Sequence, residues 1–177
     1  LVVGNFIGHT LIIWRDKMKI LISGTFCSGK STLALDLAQK IQHSHVIPEP
    51  IRDLAKIFSH DELLHKEVRD YLFVRQIYEE KNAFTETGVL ICDAGIESNI
   101  AHNRLFKFGN KTLKDVEKFK LEKYDLVFIC DFSEVPIVND GFRMTEPEIR
   151  QNLSDTIIEV LNELSYSPIV LKGSRTD

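Results

Sequence analysis

The chain has 177 residues, 44% of them hydrophobic and 27% charged, with a formal net charge of −4. This length and hydrophobic fraction suit one α/β domain with a real core. The acidic balance argues against a general nucleic-acid binder, which needs an excess of Lys and Arg, and no apolar run approaches the ~20 residues of a membrane span.

Residues 1–17, LVVGNFIGHTLIIWRDK, mix apolar residues with Gly, Asn and His and lack the basic start and long apolar centre of a signal peptide. They read as an arm, with Met18 a candidate native start; an extra edge strand is the competing reading. Residues 18–177 then read as a single domain. Ile20 to Ile22 is a short strand ending at Ser23, and residues 31–42 follow helical spacing with Leu33, Ala34, Leu37, Ala38 and Ile41 on one face. HVIPEP gives a second strand stopped by prolines, and residues 51–58 a short helix. SHDE offers an N-cap for a longer helix from Asp61 to Thr85, with Leu64, Val68, Tyr71, Leu72, Ile77 and Phe84 turned inward and Thr87-Gly88 stopping it.

VLICD is a continuous apolar strand ending in a carboxylate, which reads as buried on both faces and hence part of a parallel sheet. Helices are expected over 97–106 and 112–120, and LVFICD repeats the buried-strand pattern. Residues 131–144 form a loop, Glu146 to Leu164 a helix, and residues 169–171 a last strand. The helix places Ile149, Leu153, Ile157, Leu161 and Leu164 on one side. Five strands alternating with helices predict an α/β fold around a parallel sheet. The cysteines, Cys27, Cys92 and Cys130, are odd in number and widely spaced, which fits a reducing cytoplasm better than a disulfide framework or zinc site.

Gly24-Thr25-Phe26-Cys27-Ser28-Gly29-Lys30-Ser31 fits G-x-x-x-x-G-K-[ST] between a strand and a helix, with Thr32 following. The glycines let the loop turn its amides inward, and those donors with the helix N-terminus make an anion cradle. Lys30 is expected on the β- and γ-phosphates and Ser31 on Mg²⁺. Cys27 reads as a tolerated small residue; a thiol activated by the helix end is the alternative.

Asp93 ends its strand where ligands bind in open α/β sheets, and it either holds Mg²⁺ or orients the attacking oxygen; capping the next helix is the plain alternative. Glu49, held between Pro48 and Pro50 with Arg52 three residues on, suits a general base, or a surface turn with a salt bridge. Arg143 and Arg150 flank a loop with Gly141, so a lid around residues 131–150 is expected to close two arginines over the transferring group.

The loop at 24–31, PEPIR at 48–52, ICDAG at 91–95, YDLVFICDFSEVPIVNDGFR at 124–143 and GSR at 173–175 occur in one order. In that order the sequence resembles the bacterial ribosylnicotinamide kinase domains and the related small AAA-type ATPase-like predicted kinases, over most of residues 18–177. The resemblance implies a P-loop fold with a five-stranded sheet of order 2-3-1-4-5, ATP with Mg²⁺, a lid carrying Arg143 and Arg150, and an adenine contact near Gly173 to Arg175. Glu49-Pro50 is also similar to deoxynucleoside kinases, in which the glutamate serves as base. Many relatives carry Asp-Arg after the third strand, whereas Asp93 is followed here by Ala94-Gly95. Arg52, Arg75 or Arg104 is a candidate replacement. Tyr71, Arg75 and Tyr78 share a helical face that could hold a base, although core packing of both tyrosines is the favoured reading.

Together these features predict a cytoplasmic P-loop kinase transferring phosphate from ATP·Mg²⁺ to a nucleoside- or nucleotide-like acceptor. Lys30 and the loop hold phosphates, Ser31 and Asp93 serve the metal, Glu49 or Asp93 takes the proton, and Arg143 and Arg150 close the site. The alternative is an ATP- or GTP-binding regulatory module that acts on a protein partner. The acceptor, the ATP or GTP preference and the oligomeric state are not set by the sequence.

Overall fold

The computed structural model describes residues 17–83, 88–108, 119–121, 123–137 and 146–173. Among them, five strands form one parallel sheet: β1 (Lys17–Ser23), β2 (Ser44–Ile47), β3 (Gly88–Asp93), β4 (Leu126–Cys130) and β5 (Ile169–Leu171). The order is β2-β3-β1-β4-β5, as the resemblance implied. Helices α1 (Lys30–Lys40), α2 (Ile51–Leu54), α3 (His60–Leu63), α4 (Lys66–Ala83), α5 (Ile96–Phe106) and α6 (Pro147–Glu163) connect and cover the strands. β1 pairs with β3 from Lys17 opposite Gly88 to Ile22 opposite Asp93, and with β4 from Ile20 opposite Leu126 to Ser23 opposite Ile129. That register brings the C-terminal ends of β1 and β3 side by side, which sets Ser23 and Asp93 at one edge.

The strand period of two sorts each strand's side chains to two faces. Leu21 and, on β3, Leu90 and Cys92 join a core with Phe73, Ile77, Ile100, Leu153 and Ile157 of α4, α5 and α6. Ile20, Ile22, Val89 and Ile91 face the other way onto Ala34, Leu33 and Leu37 of α1. Both faces are covered, so the central strands read as unbroken apolar runs.

The helix expected from Asp61 to Thr85 is two helices. Ser59 and Glu62 form a reciprocal capping box that starts α3. The chain then tightens, with Leu64 N and His65 N donating to Asp61 O and Glu62 O three residues back, and α4 restarts at Lys66. The restart sets a different inward face: Arg69, Leu72, Phe73, Gln76, Ile77 and Glu80 are buried. Tyr71 and Tyr78, expected in the core, are 51% and 65% exposed. Leu72 and Ile77 are inward as expected, and Leu64 and Val68 are partly buried. Phe84, residues 112–118 of the helix expected over 112–120, and the arm up to residue 16 lie outside the described residues; residues 119–120 form a turn. β1 itself begins at Lys17.

A buried polar cluster sits beneath the sheet. Lys19 Nζ lies 2.7 Å from Glu80 Oε2, with both side chains at most 1% exposed. Tyr124 OH donates to the Glu80 carboxylate at 3.0 Å, and Gln76 Nε2 donates to Glu80 Oε1 at 2.7 Å. Ser23 Oγ donates to Glu97 Oε1 at 2.8 Å. None of these partners was singled out by the sequence.

Candidate active site

The glycine loop turns from β1 into α1 as its spacing requires. At Gly24, with φ 138°, an added Cβ would lie 2.9 Å from Ser28 Oγ and 3.0 Å from Cys130 O, so no larger residue fits. Ser28 Oγ donates to Thr25 O at 2.8 Å, and Lys30 Nζ donates to the same carbonyl at 2.7 Å. Lys30 is thereby held at the floor of the loop. From Gly24 to Thr32 the loop lines an open cleft, except Thr25, whose side chain is buried behind it. Glu49, Arg52, Ser98 and His102 line the opposite wall. Cys27 sits in the loop with φ 56° and partial exposure. All three cysteines are outside any disulfide.

Four residues singled out by the sequence meet at the base of α1: Ser31, Glu49, Arg52 and Asp93. Asp93 is 3% exposed, and burial pushes its pKa up, opposed by a hydrogen bond with Ser31. Arg52 Nη2 donates to Ser31 Oγ, its Nε lies 3.9 Å from Asp93 Oδ2, and Glu49 Oε2 lies 4.0 Å from Nη2. A guanidinium thus stands among a hydroxyl and two carboxylates. Asp93 Oδ1 and Arg52 Nε are buried without hydrogen-bond partners. A buried carboxylate oxygen with spare acceptor capacity beside a serine hydroxyl fits a hard divalent cation, which binds through one or two carboxylates plus phosphate oxygens. Among the described residues no cluster of three or more His, Cys, Asp or Glu forms a dedicated metal cage.

Arg150 differs from the expected mobile arginine. It is 4% exposed, and its guanidinium donates to Phe26 O at 3.2 Å, Cys27 O at 3.1 Å and Val135 O at 2.8 Å while lying 4.7 Å from the Phe132 ring. It braces the back of the phosphate loop from α6. Arg143 and Arg175 lie outside the described residues, as do residues 138–145 of the expected lid.

The structure also explains why no arginine follows Asp93. Ala94 is 3% exposed and has φ 61°, a left-handed conformation that is strained for a long side chain. A Cβ on Gly95 would fall 2.3 Å from Tyr124 OH and 2.6 Å from Glu97 Oε2. Of the candidate replacements, Arg75 pairs with Glu79 and Asp53, and Arg104 makes a two-pronged bond to Glu163 on α6. Only Arg52 reaches the cleft.

Sequence reasoning missed a second recess, lined by Glu49, Arg69, Gln76, Asn99 and His102. It shares Glu49, Ser98 and His102 with the cleft. Arg69 is 9% exposed, and burial lowers its pKa to about 10, opposed by the charge of Glu49. His102 Nδ1 lies 2.8 Å from Ser98 O; a carbonyl only accepts, so Nδ1 carries the proton. Burial and the nearby Arg69 lower its pKa, leaving Nε2 as an acceptor.

The sequence profile of the AAA domain family matches residues 19–177. The solved structure of NadR protein in complex with NAD and AMP-PNP superposes on 89% of this chain and 45% of its own, at 19% identity and a TM-score of 0.65. Thymidylate kinase from Candida albicans superposes on 88% of this chain and 84% of its own, at 17% identity and a TM-score of 0.62. For deoxyadenosine kinase from M. mycoides with bound dATP the figures are 88%, 90%, 15% identity and 0.61. The chain therefore spans under half the NadR chain and most of each kinase. These likenesses establish a P-loop kinase-like fold. No curated protein matches the sequence. Among the described residues, no helix is long and apolar enough to cross a membrane.

Proposed function

We propose that this chain, which belongs to the AAA domain family, transfers the γ-phosphoryl group of ATP to an oxygen of a small nucleoside- or nucleotide-like molecule. The observation carrying this reading is the meeting of Lys30, Ser31, Arg52, Asp93 and Glu49 at one cleft. Solved structures of the same fold include two kinases acting on such molecules and one holding AMP-PNP, which supports the choice of acceptor class and donor.

In this reading the loop amides from Phe26 to Ser31 and the N-terminus of α1 bind the phosphate tail. Lys30, held on Thr25 O in the structure, exchanges that carbonyl for a β- or γ-phosphate oxygen. Ser31 and Asp93 would hold Mg²⁺, which when bound would neutralise charge on the phosphates. Arg52 is placed to exchange Ser31 for a phosphate oxygen. Glu49 takes the proton of an attacking hydroxyl as the new O–P bond forms and the bond to the β-phosphate oxygen breaks, releasing ADP. Most of the acceleration then comes from positioning and fixed charge.

The test is ADP release measured by a coupled assay across a panel of nucleosides and nucleotides. ADP formed only with particular acceptors supports the kinase. Slow turnover indifferent to every acceptor would instead favour a nucleotide-dependent regulatory module.

A further inference from the structure

The recess behind Glu49 has a feature that phosphate transfer from ATP does not require. Arg69, on the inward face of α4, is 9% exposed and lines this recess. Its Nε is buried without a hydrogen-bond partner, and among the described residues no hydrogen bond or ion pair holds its guanidinium. Its flat contact is the Phe108 ring, 4.8 Å from Cζ. Among the described residues, the other arginines at or near the cleft are engaged: Arg52 by Ser31, Arg150 by three carbonyls, Arg75 by two carboxylates. A buried cation without a hydrogen-bonded counterion is costly, and proteins keep one where a ligand supplies the counter-charge.

The space is matched to a compact group. The recess measures about 30 Å³, against about 370 Å³ for the cleft. One water needs about 10–15 Å³ of such space, so a few atoms fit and a heterocyclic base does not. Beside Arg69, Asn99 brings an amide donor to the recess. The Gln76 amide is spent on Glu80 Oε1 and Ala94 O, and His102 Nδ1 is held by Ser98 O, so the guanidinium is the group that binds an oxyanion here. Glu49 stands where recess and cleft join, so an acceptor anchored on Arg69 projects its reacting oxygen past Glu49 toward the phosphate loop.

We propose that Arg69 anchors a phosphate or carboxylate group of the acceptor in this recess, making the phosphoryl acceptor an anionic small molecule and not a neutral nucleoside. This deepens the kinase reading and rests on it. A guanidinium binds either oxyanion through two parallel N–H donors, which a lysine cannot reproduce. Arg69 thereby supplies, from α4, a positive charge that Ala94 and Gly95 cannot carry after β3.

The experiment pairs each neutral compound with its phosphate: thymidine with dTMP, deoxyadenosine with dAMP, ribose with ribose 5-phosphate. Acceptor-dependent ADP release is expected from phosphorylated members only, or with a KM lower by about 30-fold or more. Arg69→Gln should abolish that preference, raising KM for the anionic acceptor by a similar factor with KM for ATP unchanged; Arg69→Lys should restore part of it. Binding is read separately, as the thermal-midpoint shift produced by dTMP or thymidine with AMP-PNP present. A shift with dTMP that vanishes in Arg69→Gln supports the anchor even if no acceptor turns over, a result that would defeat the kinase reading alone. Neutral members working as well as their phosphates would overturn the anchor and spare the kinase. Equal shifts by dTMP and thymidine, or none by either, would overturn the anchor too.

Discussion

Arg52 Nε stands 3.9 Å from Asp93 Oδ2, and Nη2 of the same guanidinium donates to Ser31 Oγ. A side-chain cation from α2 therefore competes for the two groups that fit a divalent metal. Arg52→Gln removes the competing charge. Charge-assisted hydrogen bonds of this kind contribute about 1.5–3 kcal/mol, so the magnesium concentration giving half-maximal AMP-PNP binding should fall by about tenfold. Calorimetric titrations at stepped magnesium concentrations read this directly. An unchanged or higher magnesium requirement would show that Arg52 assists the metal and does not oppose it.

Lys30 is buried against the loop with its ammonium on Thr25 O. Lys30→Met keeps the aliphatic stem and removes the charge. The variant is expected to melt within a few degrees of the parent and to bind AMP-PNP at least about tenfold more weakly, the loss of one charge-assisted contact. Equal affinity would refute a triphosphate on this loop.

Arg150 braces two loop carbonyls and Val135 O from α6. Arg150→Met leaves those acceptors without their donor, at a cost of about 2–4 kcal/mol. Both the urea midpoint and AMP-PNP affinity should drop. Arg150→Lys should recover less than half, because one ammonium cannot span the same fork. A methionine variant with normal stability and normal affinity would remove Arg150 from the site's support.

The Lys19–Glu80 pair is 2.7 Å long and nearly free of solvent. Lys19→Met strands the Glu80 carboxylate and should cost about 3–5 kcal/mol, whereas Lys19→Met with Glu80→Leu should regain much of it. A double-mutant cycle in urea measures the difference. If the double variant is as unstable as the single one, Glu80 is held mainly by Tyr124 and Gln76.

The phosphate loop was legible because its signal is contiguous: two glycines, a lysine and a hydroxyl between a strand and a helix. The central strands β1 and β3 were legible as apolar runs because both faces are covered. Helix α4 was not. Its buried face contains Arg69, Gln76 and Glu80, while Tyr71, Val74 and Tyr78 are exposed. Hydrophobic periodicity assumes the inward face is the apolar one, and here the polar residues that form the recess and the buried cluster reverse the pattern. Arg69 and His102 escaped notice for the same reason: only the packing of α4 against α5 brings them together. The role of Arg150 was hidden because its partners are backbone carbonyls, two of them more than a hundred residues away, which no side-chain pattern records.

Glu97 gives the fold a pH dependence whose sign is fixed. Its carboxyl is buried, and burial first, then the charge of Glu80, raises the pKa from 4.5 to about 7, against the Ser23 hydrogen bond that lowers it. Its Oε2 has no hydrogen-bond partner. Between these two values the folded chain keeps a proton that the unfolded chain has released. Stability from this group therefore declines as pH rises through that window, is unaffected below it, and is fully reduced above it. The difference amounts to about 3 kcal/mol at ~1.36 kcal/mol per unit. Glu97→Gln cannot ionise and retains an acceptor oxygen for Ser23 Oγ, the residue directly before Gly24. Urea unfolding at pH 5, 6, 7 and 8 should show the variant and parent diverging up to about pH 7 and levelling off above it, with the variant the more stable at pH 8. Parallel curves would mean that Glu97 stays protonated, or stays charged, across the whole range.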